Sequence, residues 1–262
     1  MEKDLRFGVA KAVFGKVTED HLADVCAALA SWLGRPVTSF VARSYDELLR
    51  AFEAREVEAA WLAPMPALRG IARGVLLPIA VPVRRGRSTF YAVLFSKKGS
   101  PFDSGRRLVG ARAAWVDAES AAGYLVMRAR LSNDGMPPAS TFVSETFYGS
   151  HDDVVRAVLG GKADVGSTYQ SAALPGEEEN AGWTDVPGAE QIQVLAKEGP
   201  IPHDVIAIAT HLSPVFAEEA QAVLLDETSP VAVATRALLQ ADKLVAPVQQ
   251  HLAPLARILA GW

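Results

Sequence analysis

A chain of 262 residues that is half hydrophobic and only 21% charged can bury a sizeable core and does not have the composition of a disordered segment. Its 26 basic and 30 acidic side chains leave a formal charge of −4 with no basic stripe, so nucleic acid is not an expected partner. One cysteine, Cys26, excludes an intrachain disulfide and a cysteine-based zinc site, and no run reaches the roughly 18 apolar residues of a membrane span.

The length fits one large domain or two smaller lobes, at about 150 residues per domain. The chain opens Met1-Glu2-Lys3-Asp4 and enters a strand at once, with no visible signal peptide. Two expectations follow: a cytoplasmic protein, or an exported one whose leader has been removed.

Leu5 to Ala10 reads as a strand. Thr18 then caps a helix with an apolar face of Leu22, Val25, Leu29 and Trp32, stopped by Gly34 and Pro36. Cys26 falls inside that helix and reads as a small core residue. Val37 to Ala42 is the next strand. Ser44-Tyr45-Asp46-Glu47 is a capping box opening a helix that carries Leu48, Leu49 and Phe52. Ala59 to Ala63 is a third strand, and a short helix runs on to Gly74. Two extended stretches follow, Val75 to Val83 and Thr89 to Ser96.

The alternation then restarts. Arg112 to Val116 is a strand, Ser120 to Leu131 a helix, Thr141 to Tyr148 a strand, and His151 to Leu159 a helix closed by Gly160-Gly161. Ala163 to Thr168 is a strand, and Pro175 to Pro187 a polar excursion. Gln191 to Ala196 and Asp204 to Ala209 are extended, and the tail from Ser213 to Trp262 reads as helical, limited by Pro230, Pro247 and Pro254. Strand and helix alternating at this spacing predict βαβ units and α/β lobes with mostly parallel sheets flanked by helices. The expected division is 1–92 with 202–262 as a first, discontinuous lobe and 93–201 as a second. The expected hinge strands lie near 92–96 and 196–202.

Catalytic signatures are absent: the chain has no G-x-S-x-G elbow, no H-E-x-x-H pair and no G-x-G-x-x-G turn. Gly8 to Lys16 is not a phosphate loop, because six residues separate Gly8 from Gly15-Lys16 where four are required, and Val17 replaces the metal-binding hydroxyl. Five scattered histidines show no metal spacing. Neither an enzyme nor a cofactor is expected. What remains is position. Polar residues gather where strands end and helices begin, and in open α/β sheets those junctions line the ligand crevice. Helix starts also carry unpaired N–H groups and a positive dipole end, which favour anions. Four junctions stand out: Ser44-Tyr45, Pro64-Met65, Ser120-Ala121-Ala122-Gly123-Tyr124 and Gly149-Ser150-His151-Asp152. Each has a plainer reading. Ser44 and Ser120 serve as caps, Gly123 allows close packing, and Tyr45 and Tyr124 fill the core.

The same pieces carry a resemblance. They are Phe7-Gly8-Val9, Ser44-Tyr45-Asp46-Glu47-Leu48, Ala59-Ala60-Trp61-Leu62-Ala63-Pro64, Phe90-Tyr91-Ala92-Val93, Ser120-Ala121-Ala122-Gly123-Tyr124-Leu125, Gly149-Ser150-His151-Asp152-Asp153-Val154-Val155 with Gly161-Lys162-Ala163-Asp164, and Ile201-Pro202-His203-Asp204. In this order the chain resembles the substrate-binding proteins of phosphate, phosphite and phosphonate ABC transporters over roughly Phe7 to Leu212. The resemblance implies a type II periplasmic-binding-protein fold, with two lobes that close on a small anionic ligand about a hinge and present it to a membrane permease. It implies that Tyr45 and Tyr91 line the pocket from the first lobe. Ser120, with the backbone of Ala121 and Ala122 behind it, would hold the oxyanion head group, and His151 would donate from the second lobe. Asp204 would meet the ligand's far end, for example an amine. Tyr124 and Thr168 are further candidates. A monomer is expected.

One departure matters. The family usually has consecutive hydroxyls, Ser-Thr-Ser, where this chain has Ser120-Ala121-Ala122. At about 1.5–3 kcal/mol for each hydrogen bond to a charged group, two lost donors weaken an oxyanion site by about 3–6 kcal/mol unless other donors compensate. A carboxylate or a less charged ligand therefore stays open, as does a cytoplasmic sensor or enzyme of the same fold acting on another small anion.

Overall fold

The computed structural model describes residues 4–11, 19–104, 107–171, 180–248 and 251–259. Thr18, the expected cap of the first helix, lies outside them. So do Gly15-Lys16 and residues 175–179 of the polar excursion.

The chain forms two units. Unit 1 takes residues 1–88 and 203–252, and unit 2 takes 89–202 and 253–262. Unit 1 begins with β1 (Leu5–Ala10), α1 (Glu19–Leu33), β2 (Val37–Ala42), α2 (Tyr45–Glu53), β3 (Ala59–Leu62), α3 (Pro64–Ala72) and β4 (Leu76–Val83). Unit 2 follows with β5 (Thr89–Lys97), β6 (Ala111–Trp115), a π-type turn at Ala121–Leu125 and α4 (Val126–Asn133). It continues with α5 (Pro138–Thr141), β7 (Phe142–Phe147), α6 (His151–Leu159), β8 (Val165–Gln170) and β9 (Ile192–Pro202). The chain then returns to unit 1 for β10 (Val205–Ala209), α7 (Pro214–Leu225), α8 (Pro230–Leu239) and β11 (Lys243–Val245), and ends on α9 (Ala253–Leu259) in unit 2.

Local chemistry explains the boundaries. Ser44 accepts the Glu47 N–H at 3.1 Å and so starts α2. The Glu47 carboxylate reaches one residue further back than a capping box requires and accepts the N–H of Arg43 at 2.6 Å. Leu48, Leu49 and Phe52 form the buried face of this helix. Ser150, Ser213 and Ser229 cap α6, α7 and α8 in the same manner. The unit 1 core joins Leu5, Phe7 and Val9 of β1 to Leu22, Val25 and Cys26 of α1 and to Val231 and Leu238 of α8. Burial pushes the Cys26 thiol up to about 11, in keeping with a packing role.

The sheets are mixed, not mostly parallel. Unit 1 has the order β11-β4-β10-β3-β1-β2, with β1 parallel to β2 and β3 while β10 and β11 run antiparallel to their neighbours. Unit 2 has the order β7-β6-β8-β5-β9, with β6 parallel to β7 and β8 while β5 runs antiparallel to β8 and β9. Parallel neighbours need a crossover, usually a helix. Strands through which the chain enters or leaves a unit lack that crossover and pair antiparallel.

Three further expectations change. The tail is not wholly helical, since Lys243–Val245 adds an edge strand against β4. α9 belongs to unit 2, where it packs against β9 and α4, and not to the first lobe. The chain passes between units at Ser88–Thr89 and Pro202–His203, with a further passage at Leu252–Ala253. The first two passages are stitched by the Thr89–Pro202 pair and by His203 N–H donating to Ser88 O at 2.9 Å. Tyr91 therefore sits in unit 2, because β5 is already paired with β9 from its first residue.

Leu255 is fully buried in α9. Leu255→Ala is expected to lower stability by about 2–4 kcal/mol, read as a fall in the urea midpoint of the transition that reports unit 2.

Candidate ligand-binding site

In unit 2, β8 runs past the end of β6. The two strands pair only at Ala113–Val165 and Ala114–Gly166, and beyond that Gln170 bridges to Ala181. Two junctions reach β8 where β6 has ended. The Ser167 hydroxyl donates to Ala122 O at 2.7 Å. The hydroxyl of Thr168, the next residue, lies 2.8 Å from His151 Nδ1. Successive strand residues point to opposite faces. The Ser120 turn is thus held from one face and His151 from the other, by neighbouring side chains on a single strand.

The Ser120 turn is wound more widely than an α-helix. Leu125 N–H reaches back to Ser120 O, and Val126 N–H to Ala121 O. The carbonyl of Gly123 is taken by Val116 N–H at 3.2 Å, which draws the turn onto the end of β6. Only glycine fits here, since a Cβ at 123 would stand 2.3 Å from Val116 Cγ2. Ser120 is 3% exposed and its Oγ accepts Gly123 N–H at 3.0 Å, so the cap reading holds. The first N–H groups of the turn, those of Ala121 and Ala122, precede any helix carbonyl that could accept them. No acidic residue occupies this first turn, whereas α2 carries Asp46 and Glu47 there and α6 carries Asp152 and Asp153. Of these three helix starts, the one at Ser120 keeps its positive end uncompensated from within.

His151 sits at the first position of α6, after the Ser150 cap, and its ring stacks edge-on against Tyr169 at 5.0 Å. Thr168 is fully buried and orients His151 instead of facing solvent. Tyr91 lies at the same end of the sheet, paired with Gln170 and partly exposed, with Lys197 Nζ 4.3 Å from its ring centroid. Sequence reading did not single out Lys197, because it lies in a strand where neither a cap nor a motif marks it.

Tyr124 does not join this group. It packs among Trp115 and Phe147, with Arg128 over its ring at 4.9 Å. Burial raises its phenol above the usual range, which fits a core-edge residue.

In unit 1, Tyr45 opens α2, 5% exposed. Asp204 lies just before β10, at the end of the sheet where β3 also finishes. Its carboxylate accepts from the Trp61 indole N–H and from Arg84 Nη2 at 3.0 Å. Burial opposes its ionisation, but the Arg84 guanidinium outweighs that and holds the carboxyl below the usual range. Arg84 also donates to His203 Nδ1 at 2.9 Å and to Leu239 O at 2.7 Å. A guanidinium only donates, so His203 Nδ1 must accept and the ring is neutral. The expected role of Asp204 as partner of a ligand amine is not carried by this geometry, because a protein cation already neutralises it.

The apolar crevice of unit 1, about 30 Å³ and lined by Leu5, Phe7, Trp32 and Phe216 among others, has almost no polar wall and space for about one water. It offers nothing to an anion. No cluster of three or more metal-ligating side chains occurs among the described residues.

Comparison with known proteins agrees in one direction. The family model for the periplasmic substrate-binding protein of phosphonate ABC transporters matches residues 7–252. A binding protein component of an ABC phosphonate transporter from Pseudomonas aeruginosa superposes with a TM-score of 0.77 at 19% identity, covering 98% of this chain and 86% of that one. PhnD1 from Prochlorococcus marinus, in complex with methylphosphonate, gives 0.76 at 16% identity over 98% and 97%. A Xanthomonas citri protein bound to ATP gives 0.75 at 19% identity over 98% and 96%. At these identities the structures establish the fold, the type II periplasmic-binding-protein arrangement.

Burial and Arg84 lower the His203 pKa from 6.5 to about 4. An unfolded chain takes up that proton near pH 6.5 while the folded one resists to about pH 4, so this part of the stability is full above 6.5 and lost as pH falls toward 4. The loss is expected to reach about 3 kcal/mol. Urea midpoints at about pH 7 and 4.5 check it, and His203→Gln is expected to flatten the decline.

Proposed function

This chain belongs to the family of periplasmic substrate-binding proteins of phosphonate ABC transporters, and from that premise we propose that it captures a small oxyanion of the phosphonate, phosphite or phosphate class on unit 2. The family is one of binding proteins, not enzymes, and works with a membrane permease outside the cytoplasm. In the proposed complex the head group sits on the Ala121 and Ala122 N–H groups and the Ser120 hydroxyl, and His151 donates from α6. The observation that supports this most is the paired anchoring by Ser167 and Thr168, which assembles both donors before a ligand arrives. Preorganised donors spend no binding energy on ordering.

The two alanines remove side-chain donors, so recognition rests on backbone N–H groups. These provide direction without adding charge. Tyr45 is the proposed contribution of unit 1. Capture by closure about the passages at Ser88–Thr89 and Pro202–His203 belongs to the same proposal. Because Asp204 is paired with Arg84, an amine on the ligand gains no carboxylate partner from it. The protein is expected to act as a monomer and to need no cofactor.

Calorimetry with phosphate, phosphite, methylphosphonate and 2-aminoethylphosphonate tests the reading. Binding of at least one is expected, with no preference for the amine-bearing ligand over methylphosphonate. Ser120→Ala and His151→Ala should each weaken binding by about tenfold or more, since each removes a hydrogen bond to a charged group. Folded protein that releases heat with none of the four would overturn the proposal.

A further inference from the structure

We propose that Lys197 is the cationic arm of this site, a specificity-determining residue held in place by Tyr91; the inference rests on the oxyanion reading above. Lys197 on β9 stands opposite Val93 on β5, and Val93 stands opposite Thr168 on β8. Directly paired residues share a face, so Lys197, Val93 and Thr168 form one row across the sheet. At about 4.8 Å per strand, the Lys197 backbone is about 10 Å from that of Thr168, a gap that a lysine side chain and a small anion together can span. Tyr91 lies two residues from Val93, on the same face, toward the end of the sheet where His151 meets β8.

The lysine is seated there. Its Nζ lies 4.3 Å from the Tyr91 ring centroid. The ring can lie against β9 because residue 199 is glycine: a Cβ there would come within 2.8 Å of Tyr91 Cδ1. The adjacent acid does not neutralise the lysine. Glu198 points to the other face and pairs with Arg130 at 2.9 Å. Among the described residues, no carboxylate forms an ion pair with Lys197. By contrast, Lys97 and Lys98 donate to the backbone carbonyls of Leu159 and Glu190. A π face orients an ammonium without cancelling its charge. Lys197 is therefore a positioned cation with its charge still available to a ligand.

This changes what the site selects. The Ala121 and Ala122 N–H groups and the Ser120 hydroxyl are neutral donors that recognise oxygen geometry. A full charge in the row of Thr168, on the face of β8 that carries His151, favours ligands with net negative charge and adds attraction to a site whose turn lacks the hydroxyls at 121 and 122. The class favoured is a small anion of at least one full negative charge, not a neutral polar solute.

The test is calorimetry with methylphosphonate and phosphate at low and high salt, on wild type, Lys197→Gln, Lys197→Arg, Tyr91→Phe and Tyr91→Leu, with circular dichroism confirming the fold. Lys197→Gln is expected to bind about tenfold more weakly and to lose much of the salt dependence. Lys197→Arg should retain both, Tyr91→Phe, which keeps the ring face, should keep the salt dependence of wild type whatever its affinity, and Tyr91→Leu should fall between wild type and Lys197→Gln in salt dependence. Wild-type affinity and salt dependence in Lys197→Gln, while wild type itself binds, would overturn this inference and leave the oxyanion reading standing. Wild type that binds neither anion would overturn both.

Discussion

Ser167 and Thr168 are consecutive residues on one strand, and a pleated strand sends consecutive side chains to opposite faces. Each hydroxyl holds one half of the candidate site, Ser167 through the Ala122 carbonyl and Thr168 through the His151 ring. The arrangement depends on β6 ending before β8 does, because a longer β6 would fill the space that the Ser120 turn occupies. The widened turn, the glycine at 123 and the overhang of β8 are one solution to one packing problem. The turn must approach the sheet closely enough for its carbonyls to be used by Ser167 and Val116, and only then are its first N–H groups left facing a position of fixed geometry.

Charge is distributed by the same logic of pairing. In unit 1 the largely buried Asp204 is paired with Arg84 and bonded to the Trp61 indole, and a neutral His203 completes the network. Breaking such a pair leaves an uncompensated buried charge, so this cluster is built to stay closed. It sits where the chain re-enters unit 1, and His203 also ties the passage by donating its N–H to Ser88 O and accepting from His251 Nε2 at 3.1 Å. In unit 2 the acids near the site are spent on helix caps and arginines, while Lys197 rests over an aromatic ring.

The elements of the first half were legible in the sequence because their signals are local. β1 and β2 have the predicted bounds, and the serine caps at 44 and 120 work as read. The helix at Ser120 was legible as a helix, but not as a π-type turn, because the cause is a hydrogen bond from Val116 to Gly123, supplied by the strand beside it. The β11 edge strand was missed because three residues of strand among helices carry no periodicity of their own. α9 was assigned to the wrong unit, because its apolar face does not record which sheet it will meet.

The sequence by itself determined the alternation of strands and helices, the caps, the junctions where polar residues collect, and a family pattern specific enough to imply the fold. These depend on neighbours within about four residues, which sequence order preserves. Tertiary structure alone decided which junction residues work together. It placed Tyr91 in unit 2, gave Tyr124 to an aromatic cluster, committed Asp204 to Arg84, and brought Lys197 over Tyr91 from a distant strand. Each of these depends on strand order and register, which bring together residues tens to more than a hundred positions apart and leave no trace in any single stretch of chain.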